Sequence, residues 1–551
     1  MRIGVLPLAR PTFDVPFAEE NAGQAFAALD RTGHAILGPR TLLFDAAAAE
    51  AAMAALTGEA LDVLLLLQVT FTDASMTVRI AEAGLAPLAL WAFPEPRTGG
   101  RLRLNGFCGV NLAAHALGRA GERFAWLYAA PDEEGIAESL GTLFASASSP
   151  RSTPPSPRLR GVGWGEGPVG EASGLRTSPL PLAGRGEGGG AGSIAQVPPA
   201  PTPTPGPSPQ GGGETPDPSR SPDRPLTPAL SPLHGERGQS AGRGRPTEAD
   251  RTLAEAVLAR LKGRRIGLVG EHPTGFDTCR FDEGELQRLA GIAVERVALP
   301  DLFARARAVP AEQVAATREA VGRDIAGLAE VDQPQLDRSL SVFHALDGLA
   351  RDEGLSALAV RCWPEMFTDY GCAACGPMGL MNQAQVPCAC EADLYGSLTA
   401  LALQELAGAP AFLADIVDMD AASDTGVLWH CGLAPLSMAD PETPPQAQIH
   451  SNRRMPLLQE FALKPGRVTV ARISQARNAP KLVIAGATMI RAPKSFTGTS
   501  GVIRFDRPAG EVAAAMMDIA LEHHVALVYG DVRGPLRALG QAMGLEVVEL
   551  A

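Results

Sequence analysis

The sequence predicts an α/β protein with two open parallel-sheet α/β domains followed by a β-rich, barrel-like C-terminal domain. Three observations carry this reading. Apolar runs of strand character alternate with helical stretches from the N-terminus to about residue 147. The alternation restarts after a long Pro/Gly-rich segment. From about residue 445, strand-like runs follow one another across turn residues, with only one helical stretch near the end.

In the first domain, residues 1–147, MRIGVLPL and DVLLLLQVT read as strands. The second is a continuous apolar run, as a strand covered on both faces of a parallel sheet requires. AAAAEAAMAALTG and SMTVRIAEAG have helical composition, and APLALWAF is a strand again. Residues 148–247 are different. Between Pro150 and Pro246 the chain has 21 Pro and 20 Gly in 97 residues, so it cannot bury enough apolar surface to offset the entropy of ordering. Related pieces recur there (SPLPLAGRGEGGG, TPALSPLHGERG), so the segment reads as a disordered, repeat-derived insertion in a surface loop. In the second domain, residues 248–444, ADRTLAEAVLARLKG is an amphipathic helix and RRIGLVGEHPTGFD starts a new α/β unit. That unit runs on through LSALAVRCW, a helix after Asp393, and the strand PAFLADIV. In the last part, 445–551, RVTVARIS, KLVIAGATMIR and GVIRFD are strands, the TGTSG run at 497–501 reads as a surface turn, and a helix, GEVAAAMMDIALE, and the strand VALVYGDV close the chain.

Bulk properties exclude some functions. With 551 residues, 45% hydrophobic and 20% charged, the composition is that of an ordinary globular protein. A net charge of −13 argues against nucleic-acid or anionic-membrane partners. LDVLLLLQVTF is about half the roughly 20 residues a membrane span needs. Eight cysteines and no signal-peptide pattern suggest reduced thiols in a cytoplasm.

The chemistry concentrates in CEADLYGSLTALALQELAGAPAFLADIVDMD and in LEHHVALVYGD. Glu391 opens a segment with helical character. Gly408 and Pro410 break it, and a short apolar run delivers Asp415, placed at the carboxyl end of a parallel strand where such folds build sites. Asp418 and Asp420 are its rivals. His523 and His524 precede a further strand. Two carboxylates and an imidazole suit a hard or borderline divalent metal, and the carboxylates can also move protons. His430, in LWHCG, faces either the substrate or the core. Trp363, in RCWPEMF, can stack on the apolar face of a sugar or fill core. Arg10, in LARPTFD, follows the first strand, where a loop can reach a hydroxyl or an anionic group. The thiols offer a competing story. Cys372 and Cys375 form a CxxC, Cys388 and Cys390 a CxC, and Cys431 is near, a spacing that can hold zinc or an iron–sulfur cluster.

These motifs carry a resemblance. LARPTFD, LNGFCGVNLAAHALGR, RCWPEMF, CACEADLYGSLTALAL, FLADIV, WHCGLAP, KPGRVTVARIS and LEHHVALVYGD together resemble the L-fucose isomerase and L-arabinose isomerase superfamily, in particular its fucose isomerase-like proteins. The resemblance implies a metal-dependent aldose–ketose isomerase that acts on a small sugar through an enediolate. It also implies Mn²⁺ or another divalent metal, and a homo-oligomer with active sites near subunit boundaries. Carried onto this chain, Glu391 and Asp415 would be metal ligands and the acid/base pair. His524 would be the third ligand, with His523 beside it. If the strand has already begun there, alternation lets only one of the two histidines face the site. A sugar epimerase and a catalytically silent sugar-binding or regulatory protein on the same scaffold are the alternatives.

Overall fold

The computed structural model describes residues 1–149 and 244–551. The predicted disordered insertion therefore lies almost wholly outside the described residues. None of the described helices is long and apolar enough to cross a membrane.

Three sheets organise the chain. The first contains β1 (Arg2–Leu8), β2 (Ala35–Leu37), β3 (Val63–Gln68), β4 (Leu88–Ala92) and β5 (Phe124–Tyr128), in the order β2-β1-β3-β4-β5, all parallel. Every residue of β3 is buried, as its unbroken apolar run requires. The second sheet is also parallel. It contains β6 (Arg265–Val269), β7 (Ala293–Val297), β8 (Leu355–Val360) and the two-residue β9 (Cys388–Ala389), in the order β7-β6-β8-β9.

The third sheet holds β10 (Phe412–Asp420), β11 (Thr425–His430), β12 (Gln446–Gln448), β13 (Leu458–Ala462), β14 (Gly466–Ser474), β15 (Lys481–Ile490), β16 (Thr499–Phe505), β17 (His524–Tyr529) and β18 (Glu546–Glu549). Six of these close on themselves. β16 pairs with β11, β11 with β10, β10 with β17, β17 with β14, β14 with β15, and β15 with β16 again, all antiparallel. This ring is the barrel the sequence suggested, and closure removes the edges an open sheet exposes.

Two local readings are corrected. The strand carrying Asp415 is not a parallel strand of the second α/β unit. β10 is antiparallel to both neighbours, so the β-rich sheet begins at Phe412 rather than near residue 445. A short apolar run reads alike in either sheet type. The deciding signal is the turn after it, where Asp420 accepts from Ala422 N and Ser423 Oγ and Asp424 takes a left-handed φ of 52°, sending the chain back as β11. The TGTSG run is likewise not a surface turn: Thr499 and Ser500 are buried and begin β16.

Two helices wedge these layers together. Helix Leu394–Ala407 shares one apolar cluster with Ala357 and Ala359 of β8 and with Ala526 and Val528 of β17, so it fills the space between second sheet and barrel. Helix Gly106–Ala120 lies between the first sheet and β10, and all but its last two residues are buried. Its small residues permit the approach, since a Cβ at Gly118 would stand 2.5 Å from the Ala520 Cβ.

Candidate active site

Barrel register assembles the floor of the site. Asp415 on β10 pairs directly with His524 on β17 and with Trp429 on β11, so these side chains start from neighbouring positions. β17 begins at His524, and His523 precedes it. Strand alternation therefore does not separate the two histidines, and both face the same carboxylates. His523 Nε2 stands 3.4 Å from Glu391 Oε2 and 4.0 Å from Asp415 Oδ1. His524 Nε2 stands 3.6 and 3.4 Å from the same two oxygens.

Glu391 arrives from a different element. It lies in the short turn between β9 and helix Leu394–Ala407, where it and Ala392 both adopt φ of 58°. Two successive non-glycine residues in the left-handed region cost on the order of 1–3 kcal/mol each, and such strain persists only where its surroundings hold it. Trp363 Nε1 donates to Glu391 Oε1 at 3.0 Å and is one of those restraints.

Behind the floor runs a buried ionic relay. His524 Nδ1 lies 2.9 Å from Asp393 Oδ2. A carboxylate only accepts, so Nδ1 carries the hydrogen and the Nε2 lone pair points at the carboxylate pair. Asp393 also caps helix Leu394–Ala407 by accepting from Gly396 N at 2.8 Å. Arg472 of β14 holds the same carboxylate through two bonds of 2.5 and 3.1 Å and donates to Thr278 O at 3.2 Å. Burial alone would raise the Asp393 pKa, but Arg472 and His524 together hold it far below the usual carboxylate range.

Four buried atoms at the centre have no hydrogen-bond partner: Glu391 Oε2, Asp415 Oδ1, His430 Nε2 and His523 Nδ1. Glu391 Oε2 and Asp415 Oδ1 are unpaired buried acceptors, which are costly, and a divalent cation would satisfy them. Glu391–His523–His524 and Asp415–His430–His524 each bring three ligand atoms within 4.8 Å of one another, so the donor set fits a hard or borderline metal. His430 differs from its neighbours. Its Nδ1 accepts the Cys431 N–H at 2.8 Å, which leaves the proton on Nε2 in the neutral ring. Burial and the two other histidines push its pKa down to about 3, so it is neutral and presents a donor. The carboxylates are driven apart. Burial, with Glu391 and Asp393 adding to it, raises Asp415 to about 7. Burial also acts upward on Glu391, yet His523, His524 and the Trp363 N–H bring it below its ordinary value.

The floor opens into a cleft of about 890 Å³ with its mouth and the adjoining open solvent included. Glu391, Asp415, His430, His523, Trp363 and Arg10 all line it, while His524 is buried beneath. Asp418 is committed elsewhere, to Tyr128 and Arg97, and Asp420 to its own turn.

Residues 4–149 match the N-terminal domain of the fucose/sulfoquinovose isomerase family. A sulfoquinovose isomerase from Priestia aryabhattai is 25% identical over 542 residues, 98% of this chain and 97% of that protein. One from Alkalicoccus urumqiensis is 26% identical over 490 residues, 89% of this chain and 86% of its own. One from Clostridium sp. (strain MSTE9) is 24% identical over 549 residues, 99% and 98% of the two chains. Over nearly its whole length the chain is therefore similar to sulfoquinovose isomerases.

Sequence reasoning missed Asp393, Arg472, Asn105, His450 and Arg453 around this cleft. Arg472 left a signal. In RVTVARIS it occupies the position after Val468 and Val470 on one face of β14, where an apolar residue is expected. Asp393 had one too, as an N-cap residue before an apolar run. Asn105 and the 450–453 loop carried none. The thiol-cluster reading fails on geometry. Cys362 Sγ lies 2.8 Å from Cys390 Sγ, but among the described residues no three thiols converge as a ligand group.

Proposed function

We propose that this chain is a metal-dependent aldose–ketose isomerase whose substrate, like that of the relatives named for it, is the sulfonated hexose sulfoquinovose. The observation that carries the reading is the pair Glu391 and Asp415, two carboxylates facing the same two imidazoles at 3.4 to 4.0 Å. A silent binding protein has no use for such a pair.

Glu391, Asp415 and His524 are the proposed ligands, for Mn²⁺ or a similar divalent ion, with His523 beside them. Bound there, such an ion supplies Lewis acidity at the carbonyl and adjacent hydroxyl of the sugar. The chain's own groups do the rest. Glu391 stays ionised, and with Oε1 held by Trp363 its Oε2 takes the proton from the carbon next to the carbonyl and returns it to the other carbon. Asp415, facing the same imidazoles from β10, carries the hydroxyl proton between the two sugar oxygens. His430 Nε2–H donates to a substrate oxygen. General acid–base help of this kind contributes about 10²- to 10⁴-fold. The enzyme is expected in the cytoplasm, as a homo-oligomer with sites near subunit boundaries. Eight cysteines with no disulfide support the reduced compartment.

The test is a metal-stripped protein reloaded with Mn²⁺ and offered sulfoquinovose, L-fucose, L-arabinose and glucose, with ketose followed by NMR. Formation of the ketose from sulfoquinovose, dependent on the metal and absent in Glu391→Gln, is the expected result. A protein that binds Mn²⁺ but converts none of these sugars overturns the assignment.

A further inference from the structure

The cleft has a second chemistry at its rim. Arg453 and Arg10 both stand by the ring of Trp363, with guanidinium carbons 5.5 and 5.6 Å from the indole centroid. Arg10 is tied to Asp73 at 2.5 Å. Arg453 is half-buried, and among the described residues no carboxylate lies within ion-pair distance of it. Its second aromatic neighbour is Phe367, at 5.9 Å. Arg101 adds a third guanidinium. Its Nη2 donates to Thr12 O and Asn452 Oδ1, and its buried Nε has no partner. Beside Arg101, Arg103 and Asp14 pair with each other at 2.9 Å. Four arginines therefore meet two carboxylates, in a chain whose net charge is −13. A positive rim in an acidic protein is a local device. The loop is also built to present it. His450 Nδ1 accepts the N–H groups of Asn452 and Arg453, and the chain closes through His450 N to Met455 O at 2.9 Å.

We infer that Arg453 and Arg10 form an oxyanion subsite that holds the sulfonate at the far end of the sugar from the reacting carbons. This rests on the isomerase reading for the sugar, but not for the anion. Guanidinium groups match the oxygens of a tetrahedral XO₃ group, which a sulfonate and a phosphate ester share. Trp363 links the two ends. Its Nε1 reaches Glu391 while both guanidiniums stand by its ring. A hexose lying along the indole places its carbonyl end at the carboxylates and its sixth carbon at the arginines.

The experiment compares kcat/KM for sulfoquinovose, glucose 6-phosphate and glucose in wild type, Arg453→Gln and Arg453→Lys, each loaded with Mn²⁺. Calorimetric binding of sulfoquinovose is measured in parallel. The expected result is that Arg453→Gln lowers the ratio of sulfoquinovose to glucose kcat/KM by at least about tenfold, mostly through KM, with partial recovery in Arg453→Lys. Calorimetric affinity for sulfoquinovose falls in step. An equal loss on all three sugars, or an unchanged ratio, overturns the subsite. A wild type that prefers glucose 6-phosphate overturns the sulfonate assignment. Tight, Arg453-dependent binding without turnover of any sugar keeps the subsite and sinks the isomerase reading instead.

Discussion

Arg472→Met removes the cation from the most buried ion pair of the site. Arg472 and Asp393 side chains are each 1% exposed, and three hydrogen bonds of 2.5 to 3.2 Å leave with the guanidinium. Asp393 is then a buried carboxylate with only His524 and a helix N–H for partners. Removing one partner of a buried pair typically costs about 3–5 kcal/mol, against roughly 5–15 kcal/mol for the whole stability of an ordinary domain. Asp393 has a folded pKa below its unfolded value. The stabilisation is therefore fully present above pH 3.8 and is lost only as pH falls through the depressed folded value, so pH 7.5 measures all of it. The assay is urea unfolding of metal-free protein, because bound metal would add its own stabilisation. The double variant Arg472→Met/Asp393→Asn should recover at least about half of the loss, since Asp393 no longer stands as a bare carboxylate, while Glu522, 4.0 Å from Arg472, keeps the Gln475 N–H. A single variant that loses under about 1 kcal/mol refutes the reasoning, and so does a double variant that loses the sum of the two singles.

Three further outcomes are expected. Glu391→Gln should weaken Mn²⁺ binding at least about tenfold by equilibrium dialysis, and unchanged affinity would move the metal away from Glu391. Trp363→Phe keeps a ring against Phe276 but deletes the N–H to Glu391. A hydrogen bond to a charged group is worth about 1.5–3 kcal/mol, so kcat/KM should fall roughly 10- to 100-fold, whereas an unchanged value would make Trp363 a packing residue alone. Replacing residues 150–243 with a short Gly/Ser linker should leave circular dichroism and activity intact, and insoluble protein would show that the segment is needed for folding.

Much of the fold was legible because buried strands leave strong local marks. The apolar VLLLL run of β3 reads one way only, and GEVAAAMMDIALE, residues 510–522, takes in all but the first residue of the helix Ala509–Ile519. The hand of pairing around Asp415 was not legible, because FLADIV has the same composition in a parallel or an antiparallel sheet. What decides it lies outside the run, in the Asp420–Asp424 turn that sends the chain back as β11 and in the pairing with β17 more than a hundred residues later. The site residues divide in the same way. Glu391, Asp415 and the histidine pair announce themselves by chemical type at element ends. Arg453 and Asn105 are polar residues in loop and cap positions, where polar residues are the default, and only the tertiary cleft gives them a purpose.

Glu391 and Asp415 come from elements of different stiffness, and that difference bears on how the site works. Asp415 and His524 are fixed by register in neighbouring strands of a closed barrel, so their separation is set by backbone pairing. Glu391 sits on a strained turn that no sheet holds. What holds it is indirect. Asp393, two residues on, is pinned by Arg472 and His524 and begins the buried helix, while Trp363 bonds the carboxylate itself. His524 thus takes its hydrogen-bond partner from the segment that Glu391 belongs to, and its strand neighbour is Asp415. Any shift of the 391–393 turn moves the Glu391 carboxylate and rotates the imidazole together. Removing Arg472 should therefore change metal affinity as well as stability. A variant that unfolds more easily yet binds Mn²⁺ as tightly as wild type would show the turn to be held by something other than this relay.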